Sequence, residues 1–152
     1  MHPHKVNVFD QDGNFLQEWG TEGTQDGQFQ FPNGVAIDLE GHVFVSDGWV
    51  GANSNNPISR MQVFDDRGRW LRSFGTPGTS DGQFQYPSGI GLDKEGNCFI
   101  ADTNNCRIQV FDPQGRFLHK WGSNGDGDGE FSYPCGIALG SEGNVYVTDT
   151  QN

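Results

Sequence analysis

Apolar residues along this chain come in short runs that never settle into a three-and-four spacing, and glycine interrupts them roughly every ten residues. Ile90-Gly91-Leu92 and Cys98-Phe99-Ile100-Ala101 are mostly apolar and bounded by Gly, Asp and Asn. They read as strands buried on both faces. Arg107 to Phe111 alternates, Ile108 and Val110 on one side against Gln109 and Phe111 on the other, which predicts a strand packed between unlike neighbours. Phe117 to Trp121 mixes His119 and Lys120 into a fourth, edge-like run. Between the runs stand Asp93-Lys94-Glu95-Gly96-Asn97 and Asp112-Pro113-Gln114-Gly115-Arg116, where glycine supplies the positive φ of a hairpin turn and Pro113 pre-sets its approach. The pattern predicts an all-β unit, a four-stranded antiparallel meander.

The same unit is written again elsewhere. Its first half recurs at 31–47, 86–102 and 133–149, and its second half at 5–20, 60–75 and 107–122. Four short strands repeated over roughly 40–50 residues are the signature of a β-propeller blade. The chain therefore reads as one propeller segment over 1–152: a half blade at 5–20, blades at 28–75 and 83–122, and a half blade at 133–149.

Pro-x-Gly-Ile-Ala, Gly-Asn-x-Tyr-Val-x-Asp-Thr-x-Asn, Arg-Ile-Gln-Val-Phe-Asp and Trp-Gly, repeated in three copies over nearly the whole chain, resemble the NHL repeat. The Gly-His and Trp-Asp pairs of WD repeats and the double glycine of kelch repeats do not occur at the corresponding places. The resemblance implies a propeller, commonly six-bladed, used as a binding platform. Three blades cannot close a ring, since propellers need about four to eight. The expectation is a homodimer in which the terminal hairpins of two copies join as composite blades and complete a six-bladed ring. A piece of a longer propeller is the simpler alternative.

Charge narrows the partners. Nine Lys and Arg stand against 20 Asp and Glu, giving a net charge of −11. That disfavours the phosphate backbone of nucleic acids, which some NHL relatives bind through a basic face. Residues 1–4 lack the apolar core of a signal peptide, and no run reaches the roughly 18 apolar residues of a membrane span, so no membrane partner is expected and the compartment stays open. The three cysteines, Cys98, Cys106 and Cys135, form no Cys-x-x-Cys pair, and Cys98 takes the place of core valines Val43 and Val145.

In a meander blade the tight turns share one face, and the longer linkers at 20–34, 75–89 and 122–136 share the other with the loops after Asp47, Asp102 and Asp149. The second face is the candidate binding face. Its largest irregularity is Gly48 to Ser59, eight residues longer than its counterpart Thr103 to Cys106. Trp49, Asn53 and Asn55 in it suit a protein, peptide or small polar ligand, by stacking and paired hydrogen bonds; alternatively Trp49 folds back over the loop. Arg60, Arg107 and Lys5 recur at the start of the third strand, and Asp47, Asp102 and Asp149 at the end of the second. Recurrence in every unit predicts structural ion pairs.

No cofactor is expected. Asn124 to Glu130 looks like the start of a calcium loop, yet it aligns with the linkers at 23–28 and 78–83 and lacks the downstream bidentate Glu. The units also resemble amidating lyases and lactonase-like propellers, whose zinc-binding His stands at the x of Pro-x-Gly. Here Asn33, Ser88 and Cys135 hold that place, so the residues favour a non-catalytic scaffold, with a degenerate lyase- or lactonase-like enzyme as the alternative.

Overall fold

The computed structural model describes residues 4–49 and 57–151. The chain folds into two four-stranded antiparallel sheets flanked by two hairpins. The first hairpin is β1 (Val6–Phe9) with β2 (Phe15–Trp19). A linker follows in which β3 (Thr21–Glu22) pairs in parallel with β4 (Gln28–Phe29). The first full blade is β5 (Pro32–Ile37), β6 (Val43–Trp49), β7 (Ile58–Phe64) and β8 (Trp70–Phe74), paired in that order. A second linker contains β9 (Thr76–Pro77) and β10 (Gln83–Phe84). The second blade is β11 (Pro87–Leu92), β12 (Cys98–Asp102), β13 (Arg107–Phe111) and β14 (Phe117–Trp121). The last hairpin is β15 (Pro134–Leu139) with β16 (Val145–Asp149). This is an all-β partial propeller of about three blades. One helical turn, a 3₁₀ segment at Thr103–Asn105, interrupts it among the described residues.

The tight turns explain why the strands fall where they do. In five of them an aspartate opens the turn and a glycine with φ between +77° and +88° stands three residues on. The aspartate accepts at its Oδ2 from the side chain four residues later: Asn14 on Asp10, His42 on Asp38, Arg69 on Asp65, Asn97 on Asp93 and Arg116 on Asp112. Backbone N–H groups two and four residues on bond its Oδ1. The sixth turn begins at Gly140 and closes with backbone bonds only, Gly140 N to Asn144 O at 2.8 Å and Gly143 N to Gly140 O at 3.1 Å.

Burial follows the blade faces. Phe44, Met61 and Val63 of the first blade meet Ile90, Cys98, Ile100 and Phe111 of the second in one core. Val43, Val45 and Phe64, on the opposite face, meet Phe29 and the half-buried Val6 and Trp19. All five residues of β13 are buried, Gln109 included, because that amide is consumed by the linker beside it. Linker aromatics lie flat on backbone glycine: a Cβ on Gly75 would stand 2.3 Å from the Phe84 ring, and one on Gly20 2.5 Å from Phe29. The inner strands also come close, since a Cβ on Gly34 or Gly89 would lie 2.1 Å from the carbonyl oxygen of Ser88 or Cys135. Only glycine fits the Pro-x-Gly opening at such a distance.

Candidate functional site

The first two linkers are each pinned to their blade by an aspartate, an arginine and a glutamine, and the third by an aspartate. In the first blade, Asp47 Oδ1 accepts the N–H groups of Gln30 (2.9 Å) and Phe31 (2.8 Å). Arg60 donates to the carbonyls of Gln25 and Gln28 at 2.8 and 2.9 Å, and Gln62 to that of Gln28 at 2.7 Å. The second blade repeats the set: Gln85 N to Asp102 Oδ1 at 2.7 Å, Arg107 to Ser80 O and Gln83 O at 2.9 Å each, and Gln109 to Gln83 O at 2.7 Å. Arg107 Nε is 2.7 Å from Asp102 Oδ2, whereas Arg60 Nε is 3.5 Å from Asp47 Oδ2. Asp149 accepts from Ser132 and Tyr133 N–H, and Lys5 pairs with Glu18. Burial pushes the carboxyls of Asp47 and Asp102 above the ordinary aspartate range, against the opposing pull of their N–H donors and arginines.

This network fixes the residues just before each Pro-x-Gly, and those residues are aromatic. Phe31 lies 5.1 Å from Trp49 and 5.9 Å from Tyr86 between ring centroids; Trp49 stands edge-on to Tyr86 at 5.8 Å, and Tyr86 is 6.4 Å from Tyr133. Four rings thus run in a row across three successive units on the loop-bearing face. Trp49 is 48% exposed and Phe31 38%. Tyr86 holds φ +60°, a left-handed conformation that costs a non-glycine residue about 1–2 kcal/mol. Its equivalents Phe31 and Tyr133 do not share it. Beside Phe31 and Trp49 opens a cavity of about 290 Å³, also lined by Glu22, Gly23 and Gln30.

Trp49 therefore packs on the pre-proline aromatics and keeps half its surface in solvent. Asn53 and Asn55 lie outside the described residues. Asn33 is exposed on β5. The Ser88 hydroxyl is buried between Thr103 Oγ1 (2.6 Å) and the Cys135 carbonyl (3.1 Å), and Cys135 Sγ is 4.0 Å from Thr150 Oγ1. Sequence reasoning singled out Trp49 but passed over Phe31, Tyr86, Tyr133 and Glu22. The signal was an aromatic recurring immediately before each Pro-x-Gly.

Elsewhere, Asp38, Glu40 and His42 stand within 4.8 Å of one another at the first turn of the first blade, on the opposite face. His42 Nδ1 donates to Asp38 Oδ2 at 2.8 Å as the other turn donors do to their aspartates, so the turn motif accounts for the cluster. A cavity of about 430 Å³ beside it is lined by carboxylates and by Arg72 and Lys94. Asn124 to Glu130 keeps the linker geometry of its equivalents, with Gly127 N bonded to Glu130 Oε2 at 3.0 Å.

A six-bladed β-propeller family matches residues 95–152. NHL repeat-containing protein 3 of Homo sapiens is 34% identical over 109 residues, 68% of this chain and 30% of that protein, and its Mus musculus counterpart is 31% identical over the same share. Protein brain tumor of Drosophila melanogaster is 25% identical over 65% of this chain and 8% of its own length. The chain thus spans less than a third of these relatives. Among solved structures, a streptogramin B lyase superposes with a TM-score of 0.64 at 20% identity, covering 97% of this chain and 42% of the lyase. A gluconolactonase of Xanthomonas campestris gives 0.58 at 19%, covering 98% and 42%. At these identities the likeness is one of fold.

Proposed function

Because this chain belongs to the NHL-repeat β-propellers, we propose that it is a non-catalytic binding module whose site is the aromatic row on its loop-bearing face. The observation that carries this is the half-exposed pair of Trp49, at the end of β6, and Phe31, on a linker hydrogen-bonded by Asp47, Arg60 and Gln62, beside a cavity. Rings fixed in advance lose little freedom when a ligand arrives. Glu22 at the cavity wall and the net charge of −11 favour a ligand that brings a cation to the ring faces, such as a peptide bearing Lys or Arg. Arg60 and Arg107 are turned to linker carbonyls and supply no competing surface charge.

Panning a displayed random peptide library on the immobilised chain tests this. Enriched peptides are expected to carry basic residues and to lose at least tenfold in affinity for Trp49→Ala. Peptides that bind Trp49→Ala equally well overturn the reading.

The rival reading, a lyase- or lactonase-like enzyme, draws on the fold likeness and on Asn33, Ser88 and Cys135 at the Pro-x-Gly positions. Stoichiometric zinc or calcium in the pure protein, lost on substituting any of these three, would favour it.

A further inference from the structure

The cavity of about 430 Å³ on the tight-turn face has walls drawn wholly from the two four-stranded blades: the β5–β6 turn, Arg72 of β8, and the β11–β12 and β13–β14 turns. Its charges are arranged unlike those elsewhere in the chain. Among the described residues Lys5, Arg60, Arg69, Arg107, Arg116 and Lys120 each stand at ion-pair distance from a carboxylate, whereas Arg67, Arg72 and Lys94 do not. In a chain with 20 Asp and Glu, two of these three unpaired cations line one cavity.

Arg72 is anchored without being neutralised. Its Nη2 donates to the Pro113 carbonyl at 2.5 Å and its guanidinium carbon lies 5.8 Å from the centroid of the Phe44 ring, while its Nε is buried and has no hydrogen bond. Gln17 holds the same position on β2, opposite Val8 as Arg72 is opposite Val63, and donates to the Asp66 carbonyl at 2.7 Å. An amide is thus enough to tie one unit to the next, and the positive charge of Arg72 is surplus to the joint. The carboxylates of the same cavity do not answer it. Asp38 and Asp93 each accept three N–H groups of their own turns, and Glu40 and Glu95 are exposed. A half-buried guanidinium that is held in place and lacks a counter-ion suits a carboxylate, which its planar fork takes through paired hydrogen bonds.

We propose that this cavity binds a small zwitterion, a free α-amino acid, at a site separate from the aromatic row. Arg72 and Lys94 take the α-carboxylate, Glu40 and Glu95 take the ammonium, and Leu39, which is 87% exposed, gives apolar surface to the side chain together with Pro113. Cations and carboxylates lining one cavity suit a ligand that carries both charges better than a polyanion, which the four acidic neighbours repel. The volume falls among small-molecule pockets, which run from about 300 to 1,000 Å³.

Titrating the isotope-labelled chain with leucine, leucinamide and N-acetylleucine, read by NMR at the amides of residues 93–96, tests the site. Leucine is expected to give saturable shifts at millimolar concentration, and each derivative, lacking one charge, to bind at least tenfold more weakly. No saturable shift with leucine, or either derivative binding as well as leucine, overturns the proposal. Arg72→Gln keeps a side chain able to make the backbone tie that Gln17 makes, so it should lose at least tenfold in leucine affinity at an unchanged melting temperature. Lys94→Gln, at an exposed position, should weaken leucine in the same direction and carries the test if Arg72→Gln fails to fold. Undiminished leucine binding in either folded variant overturns the assignment. Trp49→Ala should leave leucine binding unchanged, so failure here and failure of the peptide-binding reading are separate results.

Discussion

The blades at 28–75 and 83–122 share a scaffold and differ in how tightly it closes. In the second blade Asn105 and Gln109 both donate to Asp102 Oδ2, at 2.8 and 3.1 Å, and Arg107 Nε joins them at 2.7 Å. The short loop that makes this possible turns through the 3₁₀ segment and a left-handed Cys106. In the first blade the longer insertion replaces that loop. Arg60 Nε stands without a hydrogen bond, and Trp49 occupies the place of Asn104. The first blade gives up part of a buried ionic network where it gains an exposed indole.

The largest effect that separates the two blades is loss of the aspartate. Asp102→Ala leaves Arg107 buried without its carboxylate and is expected to cost about 3–5 kcal/mol. Asp47→Ala should cost less by about 1 kcal/mol, since its arginine contact is longer. Urea unfolding of both variants at one fixed chain concentration measures the difference. Equal losses would show that the two networks are energetically alike.

A gain is expected at the third, incomplete unit. Gly140→Asp restores the side-chain acceptor that the other turns have and removes a flexible glycine, for about 1 kcal/mol of added stability. The nearest obstacle is the exposed Tyr146 ring, 3.1 Å from the new Cβ. The gain should depend on pH. Asp10, Asp65 and Asp112 are held below the ordinary aspartate range by the Asn14 amide and by the N–H groups of Arg69 and Arg116; at Asp38 burial opposes, and the His42 donors still prevail. A lowered carboxyl contributes stability above its unfolded value and loses it as pH falls through the folded one. The advantage of Gly140→Asp should therefore be full near neutrality and shrink below about pH 4. Asp47 and Asp102 run the other way, because raised carboxyls give up stability as pH rises from the unfolded value to the folded one.

The smallest effect belongs to Trp49→Ala. Its half-exposed indole packs on Phe31 and Tyr86, so the loss in thermal melts should stay at or below about 1 kcal/mol, while the proposed function expects peptide affinity to fall. A loss several times larger would make Trp49 a brace for the loop rather than a contact surface.

Much of the architecture is legible in the residues. An aspartate followed three positions later by glycine dictates a hairpin through bonds that close within five residues, so turns, strand phase and the repeat can be read locally. The glycine at each Pro-x-Gly and the linker phenylalanines are legible for the same reason, because they recur. The candidate site is less so. Trp49 is visible as an irregularity, but Phe31, Tyr86 and Tyr133 lie far apart in sequence and meet only because successive blades are rotated about a common axis. Gln62 and Gln109 look like ordinary polar positions of an alternating strand, and their burial reflects a linker folding back on them.

By itself, then, the sequence determined the blade, its repeat and its family, because backbone conformation and turn hydrogen bonding are short-range. Only the tertiary structure decided which aromatics share a face, which carboxylates are buried and which apolar residues remain uncovered. Those properties depend on how one blade's surface meets the next, a distance the chain spans only after it has folded.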